Sequence, residues 1–484
     1  MDKKINQEGI NVKKEENFSE WYQQIVEKAD IADIRYNVKG FIVIKPWGAM
    51  LIEGMYSLFE KALQKRGHKP VFFPTVIPEN NFKTESKHVK GFTPQVFWLE
   101  KTQGEDRLAL RPTSETAFYK LYSLWIRSHR DLPLKIYQRA NVFRNETKAT
   151  KPLIRAREFY WIEAHDCFAT KKQAEEQVQE DIQITEEVMH QKLGIPFLPM
   201  KRPEWDKFAG AVYTIGSDVL MPDGKLIQQP STHLLGQNFS KPFDIKFKNE
   251  KGEEEYAWQT CYGPAISRIL ASLISTHGDD NGLILPFCIS PVQVIIVPIF
   301  RTENKEKVIK ESEKIKEILE KKEIRVEIDL SEKRPGEKYY NWELKGVPFR
   351  IEFGENEMKE KKIILFSRDT KKKEKISLKD LEKIKELGEK FDKRLLAKAD
   401  KFMKENITDC KTKEDAELIL GSGGLAKVNF CSIEKDGEKC AEMIEKKMNA
   451  EVRGVMANKK EKITGKCIIC GKEAKEIVYL GKSY

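Results

Sequence analysis

Apolar positions near the front of the chain recur with a helical period before the backbone turns extended. In residues 49–66 they fall at Leu51, Met55, Leu58, Phe59 and Ala62, one stripe of an amphipathic helix that Gly67 is placed to end. The following PVFFPTVIP carries Pro70, Pro74 and Pro78 among strand formers, which predicts an edge or interface strand, because proline cannot donate to a ladder. Residues 134–146 and 153–168 both read as strand, separated by a polar gap holding Asn145, Thr147, Lys148, Thr150 and Lys151. This predicts a long antiparallel hairpin. On its second strand Arg155, Arg157, Phe159, Trp161, Glu163 and His165 share one face, and Ile154, Ala156, Tyr160, Ile162 and Ala164 share the other. The first face is poor packing material and suits a polar, flat ligand.

Residues 170–193 return to a helical period that Gly194 ends, and residues 195–286 alternate short strands with turns such as Pro222-Asp223-Gly224. Beyond Pro291 the rhythm changes. VQVIIVPIF reads as a buried strand, residues 303–322 as a charged helix, IRVEIDL, VPFRIEF and KIILF as strands, and residues 377–405 as a long helix. Strand and helix alternating at this length predict an α/β unit. Gly421, Gly423 and Gly424 mark a hinge or turn before a small cysteine-bearing end. No internal repeat is visible.

Length and charge narrow the function. A chain of 484 residues fits about three domains, which excludes a single small binding module. The most apolar stretch, residues 283–300, is broken by Pro286, Pro291 and Pro298, so no spanning helix is expected. MDKKINQEGI lacks the apolar core of an export signal, and the expected location is the cytoplasm. Eight cysteines are too few for a disulfide scaffold. Of the net charge of +10, residues 301–484 hold +8, from 46 basic and 38 acidic residues. A polyanion docking on the C-terminal third is one reading, a lysine-rich solvated surface the other.

Two groups of residues carry chemistry. Arg144 and Glu146 end the first hairpin strand on one face, with Phe159 across from them. A guanidinium suits a phosphate, a carboxylate accepts from an exocyclic amine, and an aromatic plate stacks on a base. Together they describe an adenine nucleotide site, although an Arg–Glu pair alone also makes an ordinary cross-strand ion pair. The second group is Cys431, Cys440, Cys467 and Cys470. Cys467-Ile-Ile-Cys470-Gly has the spacing of a zinc-knuckle half, and the gap from Cys431 to Cys440 is wider than usual. Four thiolates leave no position open for water, so the Zn²⁺ expected here is structural. Cys410 is a possible substitute ligand.

On these residues the sequence resembles the class II aminoacyl-tRNA synthetases. Phe143-Arg144-Asn145-Glu146 and the aromatic strand after it match the second signature of that family, Pro74 after a long helix the first, and GPAISR at residues 263–268 the third, with Arg268 opposite Arg144. RPTSE (111–115), RAREFYWIEAHD (155–166), HLLGQNFSK (233–241) and RPGEKYYNWELKGVPFRIE (334–352) resemble the prolyl-tRNA synthetases, the last segment their archaeal and eukaryotic form. The likeness runs from about residue 18 to Tyr484.

The resemblance implies an α+β fold: a class II antiparallel sheet flanked by helices (1–286), an α/β anticodon-binding domain (287–400) and a small zinc-containing C-terminal domain (401–484). It implies activation of L-proline by ATP with Mg²⁺, transfer of the prolyl group to tRNA(Pro), and a homodimer joined around Pro74. Arg144 and Arg268 would neutralise phosphate charge as the catalytic pair. ATP would meet Arg144, Glu146, Phe159, Gln228, Ser231 and Arg268. Proline would meet Thr113, Glu115, Arg144, Trp161, Glu163, His165 and His233, though Thr113-Ser114-Glu115 also reads as a helix N-cap. Either hydroxyl of Ser231-Thr232-His233 could face the nucleotide, and Trp258-Gln259 offers no clear carboxylate for magnesium. Glu343, Lys345 and Arg350 lie in the block matching the anticodon site, whereas Glu355-Asn356-Glu357 departs from the family pattern. In the family the C-terminal tyrosine, here Tyr484, folds back toward the active site. The 122 residues between Glu146 and Arg268 are too few for the editing insertion of typical bacterial relatives, so smaller amino acids are expected to be activated without correction in cis. The alternative is a catalytically inactive synthetase-like RNA-binding or regulatory protein, which intact Arg144, Glu146, Arg268, Thr113 and Glu115 argue against.

Overall fold

The computed structural model describes residues 9–82, 95–101, 104 and 106–484; the first eight residues of the segment read for an export signal lie outside them. Among the described residues no helix is long and apolar enough to cross a membrane.

The predicted first stripe is the helix Pro46–Lys65, which buries Leu51, Met55, Phe59 and Ala62. Gly67 follows it with φ +88°, the left-handed conformation that ends helices. The proline-rich segment is an edge: Lys69–Pro70 pairs in parallel with Ile136 and Tyr137 at one end of the largest sheet.

That sheet has eleven strands. Its spatial order is Ile407–Asp409, Leu425–Phe430, Glu476–Ser483, Glu451–Met456, Leu198–Lys201, Tyr213–Leu220, Lys225–Gly236, Trp258–Gly263, Glu158–Phe168, Leu134–Phe143 and Lys69–Pro70. The strands of the cysteine-bearing end therefore continue the sheet of the front half, joined where Val455 and Met456 pair with Lys201 and Met200. Gly423, read as a hinge or turn, has φ +85° and packs against Gly224 of the Pro222-Asp223-Gly224 turn, where an added Cβ would lie 2.3 Å from the Gly423 Cα.

The hairpin is shorter than its pattern suggested. Leu134–Phe143 pairs with Glu158–Phe168, with Val142 opposite Phe159, Ala140 opposite Trp161 and Gln138 opposite Glu163. Between them Leu153 takes φ +63° and Lys151 bridges Arg155, so residues 153–157 form a turn and Arg155 and Arg157 precede the strand. The face expected to be open to ligand is largely enclosed: Glu163 is 2% exposed and His165 fully buried. Ile162 and Ala164 on the opposite face join the main core against Tyr56, Ile266 and Leu270.

The α/β unit is a five-stranded sheet in the order Val326–Ile328, Val294–Ile299, Phe349–Gly354, Lys362–Ser367, Lys372–Ser377, the first three parallel. Residues 372–377 pair as a strand, so the long helix begins at Lys383 rather than at 377. Phe349–Gly354 lies in the middle of the sheet and is buried at every position. The polar members of VPFRIEF are therefore not on a solvated face.

Candidate active site and cysteine cluster

A cavity of about 490 Å³ opens on the large sheet. Its wall contains Thr113, Glu115, Arg144, Glu146, Trp161, Glu163, Gln228, Ser231 and His233, nine of the residues the sequence singled out from distant positions.

Thr113 and Glu115 precede and open the helix Glu115–Trp125, whose N-cap, Ser114, makes no side-chain cap bond. Its hydroxyl accepts from Gln138 Nε2 at 2.8 Å, and its backbone N donates to Glu163 Oε1 at 3.0 Å. Thr113 Oγ1 is within hydrogen-bonding distance of both Glu115 and Glu163. Capping therefore does not account for these residues; they tie two buried carboxylates into one acceptor group. Gly263 completes this wall, since an added Cβ would fall 2.7 Å from the Trp161 ring.

Arg144 lines the same cavity as that group and Glu146. Its Nε donates to the Pro112 carbonyl at 3.2 Å, and its guanidinium lies 5.2 Å from the ring centres of both Phe159 and Trp161. Burial lowers its pKa, while Glu115, Glu163 and Glu146 all act to keep it charged. Glu146 Oε1 accepts from the backbone N of Lys148 and its Oε2 lies 3.9 Å from Arg155.

Ser231 and His233 face the cavity from the strand Lys225–Gly236, whereas Thr232 turns to the other side and donates to Asp181 at 2.6 Å. Of the two hydroxyls, that of Ser231 is on the cavity side. His233 is held by Thr214 Oγ1 at 2.9 Å and Ser231 Oγ at 3.1 Å, beneath Phe208. Burial, with lesser effects from His165 and Arg202, pushes its pKa down to about 3, so the imidazole is neutral at physiological pH.

Three expected members stand behind the wall. Arg268 donates from Nε to Ile154 O at 3.1 Å and from Nη1 to Gln228 O at 3.2 Å; it braces the strand that carries Gln228, and burial lowers its pKa to about 10. Phe159 stands behind Arg144 and Trp161, which line the cavity. His165 is enclosed by Phe118 and Tyr119, with Nδ1 3.2 Å from the Tyr119 hydroxyl and Nε2 without a partner among the described residues. Gln259, in the segment searched for a magnesium ligand, is fully buried outside the cavity lining.

Pattern reading missed Arg202, Phe208 and Cys261, all on the wall. Arg202, directly after the strand Leu198–Lys201, was the one visible signal. The Cys261 thiol lies 3.8 Å from Glu115 Oε1, and burial raises its pKa well above the ordinary value.

In the α/β unit Arg350 lies inside the sheet rather than on a solvated face. The side chain is 4% exposed, sandwiched between Tyr339 and Phe366 at 4.0 and 4.2 Å. It bonds Glu343 at 2.6 Å and Glu352 at 3.0 Å, so its donors are committed inside the chain. Lys345, also half-buried, stacks over Trp47 and Trp342. Glu357 Oε2, in the departing turn, accepts from Gly354 N at 3.0 Å. Tyr484 donates to Asp223 at 2.8 Å, beneath Lys151 and Lys225.

The four sulfurs of Cys431, Cys440, Cys467 and Cys470 lie within 4.8 Å of one another. Thiolates about 2.3 Å from a tetrahedral zinc stand about 3.8 Å apart, so the group fits that metal with little movement. The wide gap after Cys431 is taken up by a turn at Lys435–Gly437 leading into the helix Glu438–Met448. Gly437 lets that turn close, since an added Cβ would lie 1.8 Å from Ser432 O. Cys410 is not a member of the group; its sulfur faces the Thr408 carbonyl.

Comparison with known proteins divides the chain into three segments. Residues 97–277 match the tRNA synthetase class II core domain (G, H, P, S and T), residues 293–387 an anticodon binding domain, and residues 413–484 the prolyl-tRNA synthetase C-terminal domain. A proline–tRNA ligase of Thermofilum pendens is 47% identical over 99% of this chain and 100% of its own length, and one of Methanococcoides burtonii is 45% identical over 97% of each. Among solved structures, Giardia lamblia prolyl-tRNA synthetase in complex with prolyl-adenylate superposes with TM-score 0.94 at 38% identity, covering 98% of this chain and 100% of that one. The Cryptosporidium parvum enzyme complexed with halofuginone and AMPPNP gives 0.91 at 35% identity, over 99% and 100%.

Proposed function

The chain belongs to the prolyl-tRNA synthetase family of class II tRNA synthetases, and on that premise we propose how its residues share the work. The reaction activates L-proline with ATP to prolyl-adenylate and transfers the prolyl group to the 3′ end of tRNA(Pro). One observation carries the assignment of residues: Arg144, Glu146 and the Thr113–Glu115–Glu163 acceptor group line one cavity. The secondary ammonium of proline meets Thr113 and Glu115, while Glu163, already saturated by Thr113, Ser114 and Gln138, holds that arrangement rigid. Trp161 walls the apolar ring, and neutral His233 limits the pocket without repelling a cation.

Proline's carboxylate then faces the α-phosphate across Arg144. Negative charge grows on that phosphorus centre as pyrophosphate leaves, and a fixed guanidinium stabilises it without reorganising. Glu146 accepts from the adenine amine; Phe159, which backs Arg144, is the plate for the base; Gln228 and Ser231 complete the nucleotide side. Arg268 reaches the triphosphate by exchanging a carbonyl for a phosphate oxygen. Mg²⁺ enters with ATP and offsets the charge of its phosphates. The second step needs no further protein nucleophile, since the ribose hydroxyl attacks the activated carbonyl and AMP leaves.

The anticodon meets the α/β unit. Arg350 braces Glu343 there, Lys345 supports the unit against the front helix, and the block holding these three residues is the proposed anticodon contact. Zn²⁺ on the four cysteines is structural. Phe72, 84% exposed beside the edge strand Lys69–Pro70, supports a homodimer through the segment around Pro74.

Proline-dependent ATP–pyrophosphate exchange tests this reading, and an inactive RNA-binding relative would show none. With alanine the exchange is expected to be weaker but measurable, because each missing methylene discriminates by only about 1–3 kcal/mol. Preformed Ala-tRNA(Pro) is expected to persist in the presence of the enzyme; its rapid deacylation would refute the absence of editing in cis.

A further inference from the structure

Arg202 crosses the sheet above Gly216, a passage open only because that residue has no side chain: an added Cβ would lie 2.5 Å from Nη2. Asp218 on the next strand accepts from Arg202 Nη2 at 2.6 Å and from Nη1 at 2.8 Å. The same carboxylate accepts a second fork, from Arg453 Nε at 2.9 Å and Nη2 at 3.0 Å. Arg453 belongs to the strand Glu451–Met456 of the zinc-bearing end, and its carbonyl also accepts from Arg202 Nη1 at 2.8 Å. All three side chains are 5% exposed or less.

The chain of contacts continues into the active site. Arg202 Nη2 donates to Gln228 Oε1 at 3.2 Å, and both residues line the cavity. With its oxygen taken, Gln228 is left with an amide NH₂, a donor, for whatever binds there. A lone glutamine amide flips freely; one pinned by a guanidinium that is itself clamped twice does not. Asp206 Oδ2, 3.8 Å from Arg202 Nε, is the other acidic group facing this guanidinium.

We propose that Arg453, Asp218 and Arg202 are positioning residues for the nucleotide, a relay through which the C-terminal unit fixes the orientation of the Gln228 amide. This rests on the reading of Gln228 as an ATP contact. The arrangement gives the C-terminal unit a direct part in activation, beyond covering the sheet edge: one of the two arginines that hold Asp218, Arg453, is not supplied by the class II core. Two arginines on one buried carboxylate are costly to assemble unless every hydrogen bond is made, and burial together with both guanidinium groups leaves the Asp218 pKa at about 2, so it remains charged throughout the working range.

The test is steady-state ATP–pyrophosphate exchange by the full-length, zinc-loaded enzyme, with KM for ATP and for proline measured separately. Gln228→Ala is expected to raise the KM for ATP. Arg453→Met is expected to raise it about tenfold, the scale of one lost charge-assisted hydrogen bond, and to leave the KM for proline within about twofold. Arg453→Lys, which keeps the charge but not the fork, is expected to fall between. In the Gln228→Ala background Arg453→Lys should add nothing, because the relay ends at that amide. If Gln228→Ala leaves the KM for ATP unchanged, the nucleotide reading of Gln228 fails and the relay with it. If Gln228→Ala acts as expected but Arg453→Lys moves neither KM, moves both equally, or multiplies with Gln228→Ala, the relay alone is overturned. The lysine variant decides the matter should the methionine variant not fold.

Discussion

At the level of single residues, the pocket is an exercise in how buried charge is tolerated. Ser114 N and Gln138 Nε2 donate to Glu163, and the single Thr113 hydroxyl proton lies within reach of both Glu163 and Glu115, which keeps the cost of the two buried carboxylates modest. Glu115→Gln removes one negative charge while keeping the shape. It is expected to raise the KM for proline by about 10- to 100-fold, the scale of a lost ionic hydrogen bond, with the KM for ATP little changed; equal effects on both in exchange kinetics would contradict the assigned role. Arg144 and Glu146 were legible in sequence with Phe159 as a nucleotide-binding set, and Thr113 and Glu115 only through the family resemblance. Cys261 and Phe208 were not, since an isolated thiol or phenylalanine has the same appearance in any core. Arg268 was found but its place was not: a guanidinium at a helix start reads as a ligand, and only the fold reveals that two carbonyls already hold it.

Elements are joined here by charged clasps as well as apolar contact. His190, in the π-helical turn Glu186–Lys192, bonds Glu186 through Nδ1 and Asp400 of the helix Lys383–Glu405 through Nε2, each at 2.7 Å. These two carboxylates, the Glu186 bond first, raise the His190 pKa from 6.5 to about 9. Because the folded value lies above the unfolded one, the clasp stabilises fully below pH 6.5 and is lost as pH rises through 9. Its contribution, partly solvated, is about 1 kcal/mol. The apparent Tm is expected to fall over that window in the wild type, and His190→Gln should lack this component; identical pH dependence in the two would rule the clasp out. The cysteine group makes a second elemental prediction. Chelation, or Cys440→Ser, is expected to loosen residues 425–483 and abolish a one-to-one zinc content, whereas Cys410→Ser retains the metal; elemental analysis with protease sensitivity distinguishes them. The helix and strand periods themselves were readable, but their ends were not. Residues 372–377 pair as a strand, and residues 153–157 form a turn, because of partners elsewhere in the sheet, and a local pattern contains no record of a partner.

For the whole molecule, the exposed edge of the large sheet beside an 84% exposed Phe72 supports the proposed homodimer. Sedimentation is expected to give twice the chain mass for the wild type and a shift toward monomer for Phe72→Glu; an unshifted dimer would place the interface elsewhere. At the other end of the same sheet the C-terminal strands join the catalytic strands, so what composition separates as a lysine-rich, cysteine-bearing tail is structurally part of the active-site platform. The sequence by itself determined the chemistry: which arginines, carboxylates and thiolates are present, and the order of motifs that identifies the family, because side-chain functionality and spacing are local properties. Tertiary structure alone decided which of them face the cavity. Burial and hydrogen-bond saturation depend on neighbours far away in the chain, and they turned Arg350 into a brace, moved Arg268 behind the wall, and brought Arg453 to Asp218 across 235 residues.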